Sequence, residues 1–273
     1  MKFLSIIQLT FRESLAKKTF LAFIAISTFI CLLLIFALNF DIVDGMQSGV
    51  SIFGEDIPDQ FDISRIILGI EGGISVLLFT AGIFLSLFAT SSLIPSLLQP
   101  GFVDLFLSKP VSRYEIIIGR YLGSVLVVAF NILYLVMCSG LILSIKTGLW
   151  NFGFIWSALI IITTFAVLFS LMTLLGVLSK NGPLSLMITY LILFLSPLLL
   201  ARNEIYALLS SKYYGYLIDG LYYFLPKTAE LGDITQKLAR SVEVNSWMPL
   251  WTSLLFAVFM IWLSGFIFKR KSF

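Results

Sequence analysis

The stretch that decides how this chain is read is residues 95 to 123, PSLLQPGFVDLFLSKPVSRYEIIIGRYLG. Long apolar runs flank it on both sides, and it holds the densest charge and helix punctuation within them. Residues 102 to 107, FVDLFL, are apolar apart from Asp104. Lys109-Pro110 stops that run, because a proline biases the preceding residue away from helical backbone. Ser112 is then placed to cap a new helix, and Glu115 three residues later completes a capping box. The pattern predicts a short amphipathic helix on a membrane face, a break, and a fresh helix re-entering the bilayer.

Outward from that stretch, composition excludes a soluble domain. Hydrophobic residues make up 59% and charged residues 12%, where soluble proteins hold about 45–50% and about 25%. Six apolar runs, at about 19–40, 74–94, 116–143, 152–178, 184–200 and 249–268, read as spans. A helix rising about 1.5 Å per residue needs roughly 20 residues to cross a core of about 30 Å. The expected fold is therefore an all-α polytopic membrane protein, one transmembrane domain over 1–273. A cleaved signal peptide is the competing reading of 19–40, but the run is too long for an h-region and no small-x-small site follows.

The connecting segments carry their own signals. Leu4, Ile7, Phe11 and Leu15 recur at helical spacing, which predicts an amphipathic N-terminal helix at the interface. Residues 41 to 71 set Asp41, Asp44, Glu55, Asp56, Asp59, Asp62 and Glu71 against Arg65 alone. They follow no calcium-loop spacing, so a solvated acidic loop is expected. Arg120, one turn inside the third span, is expected to snorkel to the headgroups. Asn131, near the middle of that span, either bonds a neighbouring helix or lines a transport path. The tyrosine-rich segment 205–225 is expected to lie at a headgroup surface.

Loop charges set the orientation. The N-terminus, the loop after the second span with Arg120, the 179–183 turn and the C-terminus hold eleven basic and three acidic residues, a net +8. The opposite side holds seven basic and twelve acidic residues, a net −5. The positive-inside rule puts both termini in the cytoplasm of a cell with the chain in its inner (plasma) membrane. The basic pI reports that topology and argues for lipid, with no case for nucleic acid.

Chemistry in the chain is sparse. There is no His, so histidine catalysis and histidine ligation of a metal are excluded. Cys31 and Cys138 each sit in an apolar run and read as packed small residues. The pattern Gly-x-x-x-x-Gly-Lys-Ser/Thr is absent, so no Walker-type ATP site exists here. Neither an enzyme nor a resident cofactor is expected.

The 95–123 stretch resembles the cytoplasmic loop between the second and third helices of ABC-2 type permeases. Gly101, Leu107-Ser108-Lys109-Pro110-Val111-Ser112-Arg113 and Gly119-Arg120-Tyr121-Leu122-Gly123 carry the likeness, while Leu97 and Phe102 depart from the family's usual Glu and Thr. The resemblance implies the permease subunit of an ABC transporter, forming a translocation path for a hydrophobic or amphipathic compound. It implies two copies of a cytoplasmic ATPase as partners and a second permease chain, most simply as a homodimer. The loop would then be an amphipathic coupling helix, with Gly101, Asp104, Lys109, Pro110, Arg113 and Glu115 as the residues gripping the ATPase. Headgroup contact alone is the second reading of Lys109 and Arg113, since cytoplasmic basic residues commonly bind anionic lipid. A non-transporting membrane assembly or scaffold subunit is the alternative from another class.

Overall fold

In the computed structural model, the described residues are 2–16, 18–43, 46–52, 55–56, 63–98, 112–202, 204 and 212–270. The helices are α1 (Lys2–Ala16), α2 (Lys18–Ala37), α3 (Ile63–Leu77), α4 (Ile83–Thr90), α5 (Arg113–Thr147), α6 (Phe152–Ser179), α7 (Gly182–Leu200), α8 (Lys212–Phe224), α9 (Thr228–Ala239) and α10 (Met248–Arg270). A single π-helical turn, Leu78–Gly82, joins α3 to α4. Between α2 and α3 the backbone forms a small antiparallel meander, β1 (Leu38–Val43), β2 (Met46–Ile52) and β3 (Glu55–Asp56). Its first pair runs from Leu38 opposite Ile52 to Val43 opposite Met46, with an irregularity between Asp41 and Ile42.

Five helical stretches are long and apolar enough to cross a bilayer: 64–97, α5, α6, α7 and α10. The chain is a multi-pass membrane protein. The first expected span, 19–40, corresponds to the apolar helix Phe20–Phe36, which is shorter. It ends because β1 begins at Leu38.

Capping chemistry explains the boundaries. The Ser112 hydroxyl accepts from the Glu115 N–H at 3.2 Å, and the Ser112 N–H donates to Glu115 Oε2 at 2.9 Å. That is the reciprocal capping box the sequence predicts. α5 then runs 35 residues to Gly148, whose φ of 73° closes it in the left-handed region. At about 1.5 Å per residue it is roughly 50 Å long and outreaches the hydrocarbon core. α6 closes at Lys180, and α7 opens with Asn181 accepting from the Leu184 N–H at 3.4 Å and Pro183 in its first turn.

α6 is the central mast. In its most apolar window 72% of residues are buried, against 28–39% in the other four spans. Phe154, Ile161, Phe165, Leu168 and Phe169 on it form the main core with Val128, Ile132 and Val136 of α5. Tyr121 stacks on Phe169 at 5.6 Å and donates to Ala166 O at 2.9 Å. Lipid is as apolar as leucine, so packing and interhelical hydrogen bonds must hold the bundle together. Ser75 and Ser157, linked at 3.1 Å between α3 and α6, are one such bond.

Three expectations are corrected. The second span starts at Ile63, well before residue 74, so Arg65 and Glu71 are helical and Glu71 is buried rather than solvated. The segment 205–225 contains α8, but the following residues form α9, a helix the sequence reading missed. α9 docks Leu231 and Ile234 against Ile160 of α6. Finally, the buried side of α1 is Ile6, Thr10 and Ser14, while Leu4 of the expected apolar stripe is exposed.

Candidate functional site

Two places carry more polar chemistry than packing alone needs. The first is the crossing of α1 over the start of α5. A Cβ on Gly123 would lie 2.7 Å from Thr10 Cβ and 3.2 Å from Ile7 O, so only glycine permits this approach. One turn earlier, the Arg120 guanidinium is fully buried and donates to Glu13 Oε2. Arg120 therefore does not snorkel to headgroups; Glu13 of α1 meets its charge inside the protein. Ile6, Leu97 and Ile116 close the same junction from the apolar side. The Gly119–Gly123 spacing is the small-x-x-x-small pattern that lets helices approach closely.

The same end of α5 is also tied to the last helix. Tyr114 donates from its hydroxyl to Trp262 O at 3.3 Å. Its ring covers Gly265 so closely that a Cβ there would fall 2.2 Å from Tyr114 Cε2. Of the residues expected to couple to an ATPase, Arg113 and Glu115 sit in the first turn of α5 beside this junction. Gly101, Asp104, Lys109 and Pro110, and with them the expected amphipathic helix, lie outside the described residues. Glu13 and Tyr114 were missed. The signal for Glu13 was available: it is the lone acid of α1, and Arg120 is the lone base deep in α5.

The second place is mid-span. Ser27 of α2 donates to Asn131 Oδ1 at 3.1 Å, so Asn131 does bond a neighbouring helix. Its Nδ2 is buried with no partner. That amide borders a cleft of about 80 Å³ lined by Phe23, Ser27, Ala81, Gly82, Ser86 and Ile132 among others. The cleft is large enough for water and offers an unused donor to an accepting oxygen. One residue along, Thr28 and Tyr134 hydroxyls meet at 3.1 Å. Cys31 and Cys138 remain free thiols on the same pair of helices.

At the far end of the bundle, α9 is latched rather than loose. Asn151 Nδ2 donates to Glu71 Oε2 at 2.6 Å and to Ala239 O at 2.8 Å, while Ser241 donates to Asn151 Oδ1 at 2.9 Å. A Cβ at Gly153 would strike Leu238 O at 2.3 Å. Nearby, Arg202 lies 3.6 Å over the Tyr222 ring, and its hydrogen bond with Tyr222 raises its pKa above the usual arginine value. Among the described residues no group of three or more His, Cys, Asp or Glu could hold a metal ion.

No protein-family model matches the chain, and a search of curated proteins finds no match.

Proposed function

We propose that this chain is the permease subunit of an ABC transporter, driven by a separate ATPase and exporting a hydrophobic or amphipathic compound. The proposed topology has six spans, α2 completing the set, with both termini in the cytoplasm of a cell whose inner (plasma) membrane holds the protein. Two permease chains and two ATPase subunits make the working assembly. The observation that carries this reading is the pairing of the buried Arg120 with the partly exposed Glu13 at the α1–α5 crossing. A permease must convey movement from a cytoplasmic loop into the bilayer, and a lever does that only if its cytoplasmic end is stiff. Here α5 is capped at Ser112, clamped to α1 at Gly123 and Arg120, and braced on α10 through Tyr114. The loop that resembles the coupling loop feeds directly into that braced end.

Asn131 suits the middle of a translocation path for an amphipathic compound, since it presents one hydrogen-bond donor to an apolar cleft. The test is co-expression with candidate ABC-type ATPase subunits from the same cell, followed by affinity capture and hydrolysis in reconstituted vesicles. Association with stimulated hydrolysis is expected. Clean separation of the two proteins, with hydrolysis unaffected by the permease, would overturn the reading.

A further inference from the structure

The π-turn forms part of the wall of a second, larger cavity on its other side. The cavity has a volume of about 430 Å³ and is bounded by Phe79, Thr80 and Ala81 of the π-turn, Phe84 of α4, Leu193, Phe194 and Pro197 of α7, and Thr228 and Ala229 at the start of α9. That volume falls in the range of small-molecule sites, about 300–1,000 Å³. Its lining is apolar apart from two hydroxyls, those of Thr80 and Thr228. Thr228 is 1% exposed, and its hydroxyl has no hydrogen-bond partner. A buried hydroxyl left unpaired carries an uncompensated desolvation cost, so a group that pairs with it recovers that cost.

None of the neighbouring polar groups is a hydrogen-bond partner of the Thr228 hydroxyl. The Ala229 N–H donates to Ser196 Oγ at 3.0 Å, and the Lys227 N–H donates to Ser253 Oγ at 3.2 Å. The Thr80 hydroxyl already donates to Val76 O at 2.7 Å, which leaves it only an accepting lone pair. The aromatic wall is fixed in place. Phe84 stacks on Tyr190 at 4.1 Å, and the Tyr190 hydroxyl donates to Phe84 O at 2.7 Å. Phe79 packs on Gly232 of α9, where a Cβ would come within 2.9 Å of the ring. π-Turns of this kind are frequent at functional sites, and this one supplies three lining residues.

We propose that this cavity binds an amphipathic small molecule entering from the bilayer. Its apolar body lies against Phe79, Phe84 and Phe194, and its single oxygen head, hydroxyl or carbonyl, pairs with Thr228. Phe84 and Phe194 are exposed, so the cavity opens on an apolar part of the surface, which suits entry from the bilayer. The purpose of the ligand rests on the permease reading, as substrate; its binding does not. A membrane lipid and a transported compound share this chemistry.

The test uses the full chain in detergent and in phosphatidylcholine discs, with no ATPase present. The probes are a long-chain alcohol carrying a mid-chain diazirine and the matching alkane, with adducts mapped by mass spectrometry. Adducts from the alcohol should concentrate on Phe79, Phe84 and Phe194. Thr228→Val should raise its half-saturation about five- to tenfold and leave the alkane unchanged, and Thr228→Ser should restore wild-type behaviour. Phe194→Trp, which fills the cavity, should lower labelling by both probes. Labelling that falls as phosphatidylcholine is added names lipid as the occupant, and labelling that persists names a non-lipid amphiphile; both support the site. Even labelling of exposed Leu191 and Phe259, or a Thr228→Val variant that binds the alcohol normally, would overturn it. So would a Phe194→Cys chain that forms disulfide-linked dimers in place of taking up probe, since a second copy would then own the face. Failure of ATPase capture in the separate co-expression test, with labelling here intact, would sink the transporter reading alone.

Discussion

Arg120 and Glu13 are separated by 107 positions in sequence, yet the guanidinium of one, wholly buried, donates to the carboxylate of the other. That contact fixes the N-terminal helix to the helix that follows the decisive loop. Removing Glu13 leaves the buried Arg120 charge uncompensated, at a cost of about 3–5 kcal/mol, whereas removing Arg120 leaves a partly solvated carboxylate and costs less. Arg120→Gln and Glu13→Gln should each lower the unfolding temperature in detergent, with Arg120→Gln insensitive to further mutation of Glu13. If the double variant loses the sum of the single effects, the pair is not coupled.

Coupling is tested at the loop itself. Asp104 interrupts an apolar run, which weakens simple adsorption to lipid and suits a polar partner. Asp104→Arg should leave insertion intact and weaken ATPase capture, since reversing one side of a close charged contact costs several kcal/mol, about 2–5 or more. Arg113→Glu should do the same from the first turn of α5. Silence from both, at matched expression, would remove this loop from any coupling role.

What was legible in the sequence was local. The capping box at Ser112 and Glu115 spans one turn, and the runs that became α6, α7 and α10 are uninterrupted apolar stretches closed by Lys180-Asn181-Gly182-Pro183 or Lys269-Arg270. What was hidden depends on distant partners. The start of α3 at Ile63 looked like loop because Arg65 and Glu71 interrupt it, and the group that accommodates Glu71, Asn151, is 80 positions away. α9 reads as a polar segment, TAELGDITQKLA, and only its Leu231 and Ile234 contacts with Ile160 reveal why it is seated. The N-terminal stripe misled for a membrane-specific reason. Leu4 of the stripe is exposed while Phe11 packs on the core, and the small polar residues Thr10 and Ser14 are buried with Ile6 in the helix–helix contact.

Topology has a direct measurement. A single cysteine placed at Asp56, in a chain lacking Cys31 and Cys138, should react with an impermeant thiol reagent on intact cells. Reaction only after the membrane is opened would reverse the proposed orientation.

The latch at Asn151 predicts an asymmetry between two substitutions. Glu71→Gln keeps an oxygen that can accept from Asn151 and should be mild. Asn151→Leu strips Glu71 and Ala239 O of their donor and should cost about 3 kcal/mol, with faster amide exchange across α9. Equal effects of the two would mean that the hydrogen bonds there contribute little.

The placement of α10 bears on how the chain is made. It is synthesised after the other described spans, and its Phe256, Ala257 and Met260 complete a cluster with Val167, Leu171 and Leu174 of the central mast. Its Ser253 receives the Lys227 N–H at one end of the bundle, and its Gly265 seats Tyr114 at the other. A nascent chain halted anywhere before residue 248 thus has its earlier spans in the bilayer but neither end closed. The insertion machinery must shelter an unfinished α6 until α10 has emerged, and products truncated before it should be the ones that membrane proteases remove first.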